Sequence, residues 1–127
     1  MVRIGHIMKR DLVSIQDGQA VSFAATLMKT RQVGSVLVKH GEEIVGIVTE
    51  ADIVRKVAAM HRAPEYTPVE LVMSSPIISI EEDSPLFEAA ARMEEAGTRH
   101  LAVANGNGIV GMVSVRDLLR PVAMDEL

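Results

Sequence analysis

The chain has no cysteine and no tryptophan. Without thiols it can build neither a disulfide framework nor a thiolate metal site, and a reducing compartment is permitted. One Tyr and two Phe bring the aromatic share to 2%, which removes the stacking platforms that commonly hold single-stranded nucleic acid. Positive charge is also scarce. Thirteen Lys and Arg against seventeen Asp and Glu leave a net charge of -4 and a pI near 5.5, so nothing draws the chain over distance to nucleic acid or an anionic membrane. No apolar run approaches the roughly 18–20 residues of a membrane span, and the N-terminus lacks the apolar segment and cleavage site of a secretory signal. A soluble, cytoplasmic protein is the expectation.

What is present is material for a core. Hydrophobic residues make up 48% of the 127 positions, chiefly Val, Ile, Leu, Ala and eight Met, enough for one compact module or two half-size units. Shifting the sequence against itself by 65 positions aligns Ile4–Val57 with Val69–Val122 without a gap, and 15 of the 54 pairs are identical where about four would arise from composition, the signature of an internal repeat. The identities include Met8/Met73, Ser14/Ser79, Ala24/Ala89, Met28/Met93, Gly46/Gly111, Asp52/Asp117 and Arg55/Arg120.

Each copy predicts the same order of elements. A short helical approach leads to a small strand, Val13–Ile15 or Ile78–Ile80. A helix follows with apolar residues at i, i+3, i+4 and i+7: Val21, Ala24, Ala25 and Met28, then Leu86, Ala89, Ala90 and Met93. Ser84 and Pro85 suit an N-cap and first helical position. Two strands joined by a glycine-containing hairpin come next, Val36–Lys39 with Ile44–Thr49 and Leu101–Ala104 with Ile109–Ser114, and a second helix begins near Glu50 or Val115. The predicted fold class is α+β, two pseudo-symmetric β-α-β-β-α units packed through their sheets. The expected division is residues 1–60 for the first unit, 61–68 for a connector and 69–127 for the second, and with five residues beyond Val122 no effector domain is expected.

No assembled catalytic motif is present, so the expectation is a protein that is not an enzyme. His6, His40, His61 and His100 lack metal-ligand spacing, and no metal is expected. The informative strings are Gly46-Ile47-Val48-Thr49-Glu50-Ala51-Asp52 and Gly111-Met112-Val113-Ser114-Val115-Arg116-Asp117, each Gly-x-x-Ser/Thr-x-x-Asp at a strand-to-helix junction. A glycine lets a ligand approach the backbone closely, a helix start offers N–H groups to an anion, and a carboxylate one turn later can accept from both hydroxyls of a ribose diol. The same spacing also makes a plain capping box, which would occupy hydroxyl and carboxylate with the backbone.

With the segment Arg99-His100-Leu101-Ala102-Val103 before a glycine hairpin, the doubled unit and its paired motifs resemble the cystathionine-β-synthase (CBS) domain family, as a stand-alone tandem pair or Bateman module spanning about Ile4 to Val122. The resemblance implies a regulatory module that binds adenosine nucleotides, AMP first and also ADP or ATP, with S-adenosylmethionine as an alternative, in clefts between the two units. It implies that Asp52 and Asp117 hold ribose hydroxyls, that Thr49 and Ser114 lie beside phosphate or ribose, and that Ile47 and Met112 flank adenine. By pseudo-twofold exchange, Val13, Val33 and Gly34 would join Asp117, while Ile78 and Thr98 would join Asp52. Arg99, His100 and Arg116 supply cations to the Asp117 cleft where the first repeat has Gly34, Ser35 and Ala51, so that cleft ranks first. A homodimer and a target protein in trans are the implied partners. A structural interaction module with vestigial clefts is the competing reading, and nucleic-acid binding through Arg3, Lys9, Arg10, Arg55, Lys56 and Arg62 a weaker one.

Overall fold

A computed structural model describes residues 1–125. The chain runs α1 (Ile4–Ile7), β1 (Ser14–Gln16), α2 (Val21–Arg31), β2 (Ser35–His40), β3 (Glu43–Thr49) and α3 (Glu50–Ile53), which continues as a π-helical turn over Val54–Ala58. Two 3-10 turns, Pro64–Tyr66 and Val69–Leu71, lead to β4 (Ser79–Glu81), α4 (Leu86–Ala96), β5 (His100–Asn105), β6 (Gly108–Ser114) and α5 (Val115–Asp125). The α+β class and the pseudo-symmetric doubling stand as expected. Each repeat has a three-stranded sheet, in the order β1-β2-β3 or β4-β5-β6. The first two strands are parallel and the last two antiparallel, since a helix must carry the chain between parallel neighbours whereas a tight turn suffices for a hairpin. Those turns are two residues long: His40 pairs with Glu43 and Asn105 with Gly108.

Val21, Ala24 and Met28 of α2, like Ala89 and Met93 of α4, are buried, while Ala25 is half-buried and Ala90 exposed. The expected four-position stripe is therefore narrower, because the i+4 position sits at the rim of the arc that i, i+3 and i+7 define. At the start of α4, Pro85 rather than Ser84 is the cap residue, extended at φ -72° and ψ 158° and making no side-chain cap bond. Ser84 is engaged otherwise: its carbonyl accepts from the Ile4 amide at 2.9 Å. The helix ends differ in one residue. Gly97 closes α4 in the left-handed region at φ 66°, and Gln32 closes α2 there at φ 54°, a conformation that costs a residue with a Cβ about 1–2 kcal/mol.

The compact units cut across the sequence repeats. One unit is Val13–Ile77; the other combines Met1–Leu12 with the chain from Ile78 onward. In the β4–β6 unit, Ile4 and Met8 lie in the core with Ile80, Met93, Leu101 and Val103, and Lys9 pairs with Met112 through N–H···O bonds of 2.8 and 2.9 Å. In the β1–β3 unit, Val69 and Val72 lie in the core with Val21, Val36 and Val48, and Ser74 pairs with Ile47 at 2.8 and 3.1 Å. The opening segment of each repeat thus closes the unit built by the other. Both bridges cover the exposed edge of the hairpin's last strand, whose unpaired N–H and C=O groups would otherwise await a partner. The expected connector is drawn into this arrangement as well, with Thr67 buried and its carbonyl accepting from the Val21 amide at 2.8 Å.

Candidate functional site

Both Gly-x-x-Ser/Thr-x-x-Asp strings lie where a strand becomes a helix. Thr49 ends β3 and Asp52 lies in the first turn of α3; Ser114 ends β6 and Asp117 lies in the first turn of α5. The chain takes this path because a β-branched run gives way to a residue whose hydroxyl can replace the missing helical partner of an amide. The Asp52 amide donates to Thr49 Oγ1 at 3.2 Å, and Asp52 Oδ2 accepts from the Thr49 amide at 2.9 Å and from its hydroxyl at 3.1 Å. The second motif repeats this geometry: the Asp117 amide donates to Ser114 Oγ at 3.3 Å, and Oδ2 accepts from the Ser114 amide at 2.9 Å and hydroxyl at 3.1 Å. The capping box is therefore formed in both copies. Asp52 is 6% exposed and Asp117 3%, so in each the carboxylate is a buried anion whose first oxygen is committed to its own backbone.

The second oxygen meets a cation. Lys56 Nζ stands 2.9 Å from Asp52 Oδ1, and the Arg120 guanidinium 2.5 Å from Asp117 Oδ1. Neither cation figured among the sequence candidates for the site, although spacings of i+4 and i+3 on a helix are the ordinary signal for such pairs. In α3 the widened π-helical turn starts at Val54, and the matching position in α5 is continuous α-helix; the cation stands four residues on in one and three in the other. Ser74, whose hydroxyl donates to Asp52 Oδ1 at 3.2 Å, arrives from 22 residues away and left no local trace.

The motif glycines serve a different purpose from the one expected. A Cβ on Gly111 would lie 2.8 Å from the Lys9 carbonyl oxygen and 2.6 Å from Met8 Sδ; on Gly46 it would lie 3.0 Å from the Ser74 carbonyl oxygen and 2.6 Å from Met73 Sδ. The close approach is by the protein's own opening segments, not by a ligand. A side chain here would push out the pairing that covers the sheet edge.

Within each unit the other candidates gather at the same end of the sheet. Around Asp52, the Val13 carbonyl accepts from Leu37 at 2.9 Å, the Gly34 carbonyl from Glu50 at 3.1 Å, and Ser35 pairs with Thr49; Val33 and Ile47 are half-buried. Around Asp117, the Ile78 carbonyl accepts from Ala102 at 3.1 Å, the Arg99 carbonyl from Val115 at 3.0 Å, and His100 pairs with Ser114. Thr98 Oγ1 donates to the His100 carbonyl and accepts from its amide at 3.3 Å. Arg99 and Arg116 are exposed, and Met112 is half-buried. The exchanged grouping, Val13, Val33 and Gly34 with Asp117 and Ile78 and Thr98 with Asp52, joins residues of different units and belongs to the proposal below.

Three of the six cations considered for nucleic acid are held internally: Lys56 by Asp52, Arg3 by the Asp83 carbonyl at 3.2 Å and Arg10 by the Gly5 carbonyl at 3.1 Å. Among the described residues no cluster of three or more His, Asp or Glu could hold a metal, and no helix is long and apolar enough to cross a membrane.

The family model of the CBS domain matches residues 4–59 and again 69–123. A protein with CBS domains from Burkholderia ambifaria superposes with a TM-score of 0.93 at 31% identity, over 99% of this chain and 97% of that one. CBS domain protein PAE2072 from Pyrobaculum aerophilum, complexed with AMP, superposes with a TM-score of 0.84 at 28% identity, over 98% and 97% of the two chains. Among curated relatives, an uncharacterized protein of Methanopyrus kandleri is 32% identical over 94% of this chain. The chain spans 62% of that relative's length, and 32% of the length of a Methanocaldococcus jannaschii relative 29% identical to it over 95% of this chain.

Proposed function

The chain belongs to the CBS domain family as a tandem pair, and on that footing we propose that it is a regulatory module that binds an adenosine nucleotide, AMP before ADP or ATP, and has no catalytic role. The observation that carries the reading is the AMP complex of the Pyrobaculum protein, a structure of the same fold over 98% of this chain, taken with the Ser114–Asp117 motif beside three cationic positions. In this reading Asp117 receives the ribose hydroxyls, Ser114 lies beside ribose or phosphate, Met112 flanks the base, and Arg99, His100 and Arg116 supply charge to the phosphate. A guanidinium meets phosphate with two parallel N–H···O bonds, which Ala51, the counterpart of Arg116, cannot offer at the other motif. Val13, Val33 and Gly34 complete the Asp117 site; Ile47, Thr49 and Asp52 with Ile78 and Thr98 are the second candidate site. Ligand binding then changes the packing of a homodimer or the docking of a target protein, which requires that the two states differ in affinity for the nucleotide.

Calorimetric and thermal-shift titrations with AMP, ADP, ATP and S-adenosylmethionine test the proposal. A ligand at 100 times its Kd stabilises the folded chain by about 2.7 kcal/mol, and Asp117→Ala should abolish most of that gain. Unaltered AMP affinity in Asp117→Ala removes the ribose role. A second reading, a structural interaction module with vestigial clefts, draws on the two capping boxes, which commit one oxygen of each motif carboxylate to the backbone. It predicts self-association and no thermal shift with any of the four ligands.

A further inference from the structure

The two motif carboxylates share a capping box and a cation on the second oxygen, and differ in what else reaches that oxygen. A carboxylate offers about four acceptor positions. At Asp52 these are taken by the Thr49 amide, the Thr49 hydroxyl, the Ser74 hydroxyl and the Lys56 ammonium. Both of the added donors are themselves anchored. Lys56 Nζ also donates to the Val72 carbonyl at 3.0 Å, and Ser74 is pinned through its backbone to Ile47. A ribose reaching Asp52 would have to break this cluster and release Val72–Ser74, which include a fully buried core residue, Val72.

At Asp117 the second oxygen meets only Arg120 among the described residues. The counterpart of Ser74 is Lys9, and the counterpart of Lys56 is Pro121, which has no donor to offer. The Arg120 side chain is 56% exposed and that of Asp117 4%, so the guanidinium can turn to water as ligand hydroxyls take its place on Asp117 Oδ1. Its presence keeps the 3%-exposed Asp117 compensated while no ligand is bound, since an unpaired buried charge is strongly destabilising.

We infer, building on the nucleotide-binding reading above, that the repeats have diverged in role. Asp117 alone takes the ribose, with Arg120 as a displaceable counter-ion, and Asp52 is a structural tie that fastens Val72–Ser74 to the β3–α3 junction and takes no nucleotide. The ligand hydroxyls replace the guanidinium at Asp117 Oδ1, and Asp52 stays saturated throughout.

Titration of AMP into the full chain by calorimetry should give one nucleotide per chain. Asp117→Asn should weaken AMP roughly 10- to 150-fold, the worth of hydrogen bonds to a charged group. Lys56→Met and Ser74→Ala, milder than removing Asp52, should leave AMP affinity within about 2-fold while hydrogen exchange speeds up at Val72–Ser74 and the melting temperature falls. Arg120→Gln should tighten AMP severalfold, because the ligand no longer competes with the guanidinium for Asp117 Oδ1. Two equivalent nucleotides per chain, a tenfold loss of affinity in Ser74→Ala, or a tenfold loss in Arg120→Gln overturns the assignment. If no adenosine ligand binds the unmodified chain, the nucleotide reading fails. The tie is then judged by exchange alone, and unchanged protection of Val72–Ser74 in both Lys56→Met and Ser74→Ala overturns it.

Discussion

The β1–β3 and β4–β6 units descend from one pattern, and the places where they part show which features the fold demands and which are negotiable. Both keep the strand order, the two-residue hairpin and the Ser/Thr–Asp capping box. Both are closed by the opening segment of the other repeat, and both bring a glycine under that segment. What varies is the polar chemistry laid on this frame. Asp52 has Lys56 and Ser74 where Asp117 has Arg120; His40 faces Asp17 where Asn105 faces Glu82. Backbone accounting is compulsory, because every buried N–H and C=O needs a partner. Side-chain partners are free to drift once that accounting is met.

The sharpest test of the comparison is the exchange of opening segments. Ile4 and Val69 occupy matched places and are both fully buried. Ile4→Ala should cost roughly 2–5 kcal/mol, and Val69→Ala somewhat less for the smaller side chain. The location of the damage discriminates more than its size. Hydrogen exchange after Ile4→Ala should rise in β4, β5 and β6, far along the chain from the substitution, while after Val69→Ala it should rise in β1, β2 and β3. The reverse distribution would mean that each repeat closes itself.

A smaller effect is expected at the motif glycines. Gly111→Ala and Gly46→Ala both force the facing segment outward, at about 1–3 kcal/mol. Gly111→Ala should be the costlier of the two, since its nearest backbone obstacle is 2.8 Å away against 3.0 Å at Gly46 and a carbonyl cannot rotate aside as a thioether can. Denaturant melts of the pair rank them, and equal costs would show that the methionines alone set the clash.

The smallest effect separates a titrating pair from a fixed one. His40 Nδ1 lies 2.8 Å from Asp17 Oδ2, and that hydrogen bond, followed by the charge of Asp17, raises the imidazole pKa above its ordinary 6.5. Protonated His40 is thereby favoured in the folded chain. Its contribution to stability is complete below pH 6.5 and disappears as pH rises through the raised folded-state value. At the matching position Asn105, whose amide does not ionise, donates to Glu82 Oε1 at 3.3 Å. NMR titration of His40 should give a value above 6.5 that Asp17→Asn brings back down; no change in that variant would assign the shift to Glu43 and Glu70 instead.

Much of the site was legible before any coordinates. The capping-box alternative and the strand-to-helix placement of both acids follow from residue types at fixed spacing. Lys56 and Arg120 stand at the i+4 and i+3 offsets of a helical ion pair, yet Lys56 is read from the sequence only as a nucleic-acid contact and Arg120 only as the repeat partner of Arg55. Ser74 was not legible, since nothing within a few residues of it reports that its hydroxyl turns to Asp52. Nor was the use of Gly46 and Gly111, where a missing Cβ is equally compatible with a ligand and with Met73 or Met8.

The sequence by itself determined the duplication, the order of strands and helices, the hairpins and the position of the two acids at helix starts, because period, turn chemistry and capping act between residues a few places apart. Tertiary structure decided which segment closes which sheet, what fills the space above each glycine, and that the Ser74 hydroxyl reaches Asp52. Those outcomes depend on chain returning from far along the sequence, Ser74 to Asp52 across 22 residues and Lys9 to Met112 from near the other end, and a side chain's identity carries no record of the neighbour that such a return will bring.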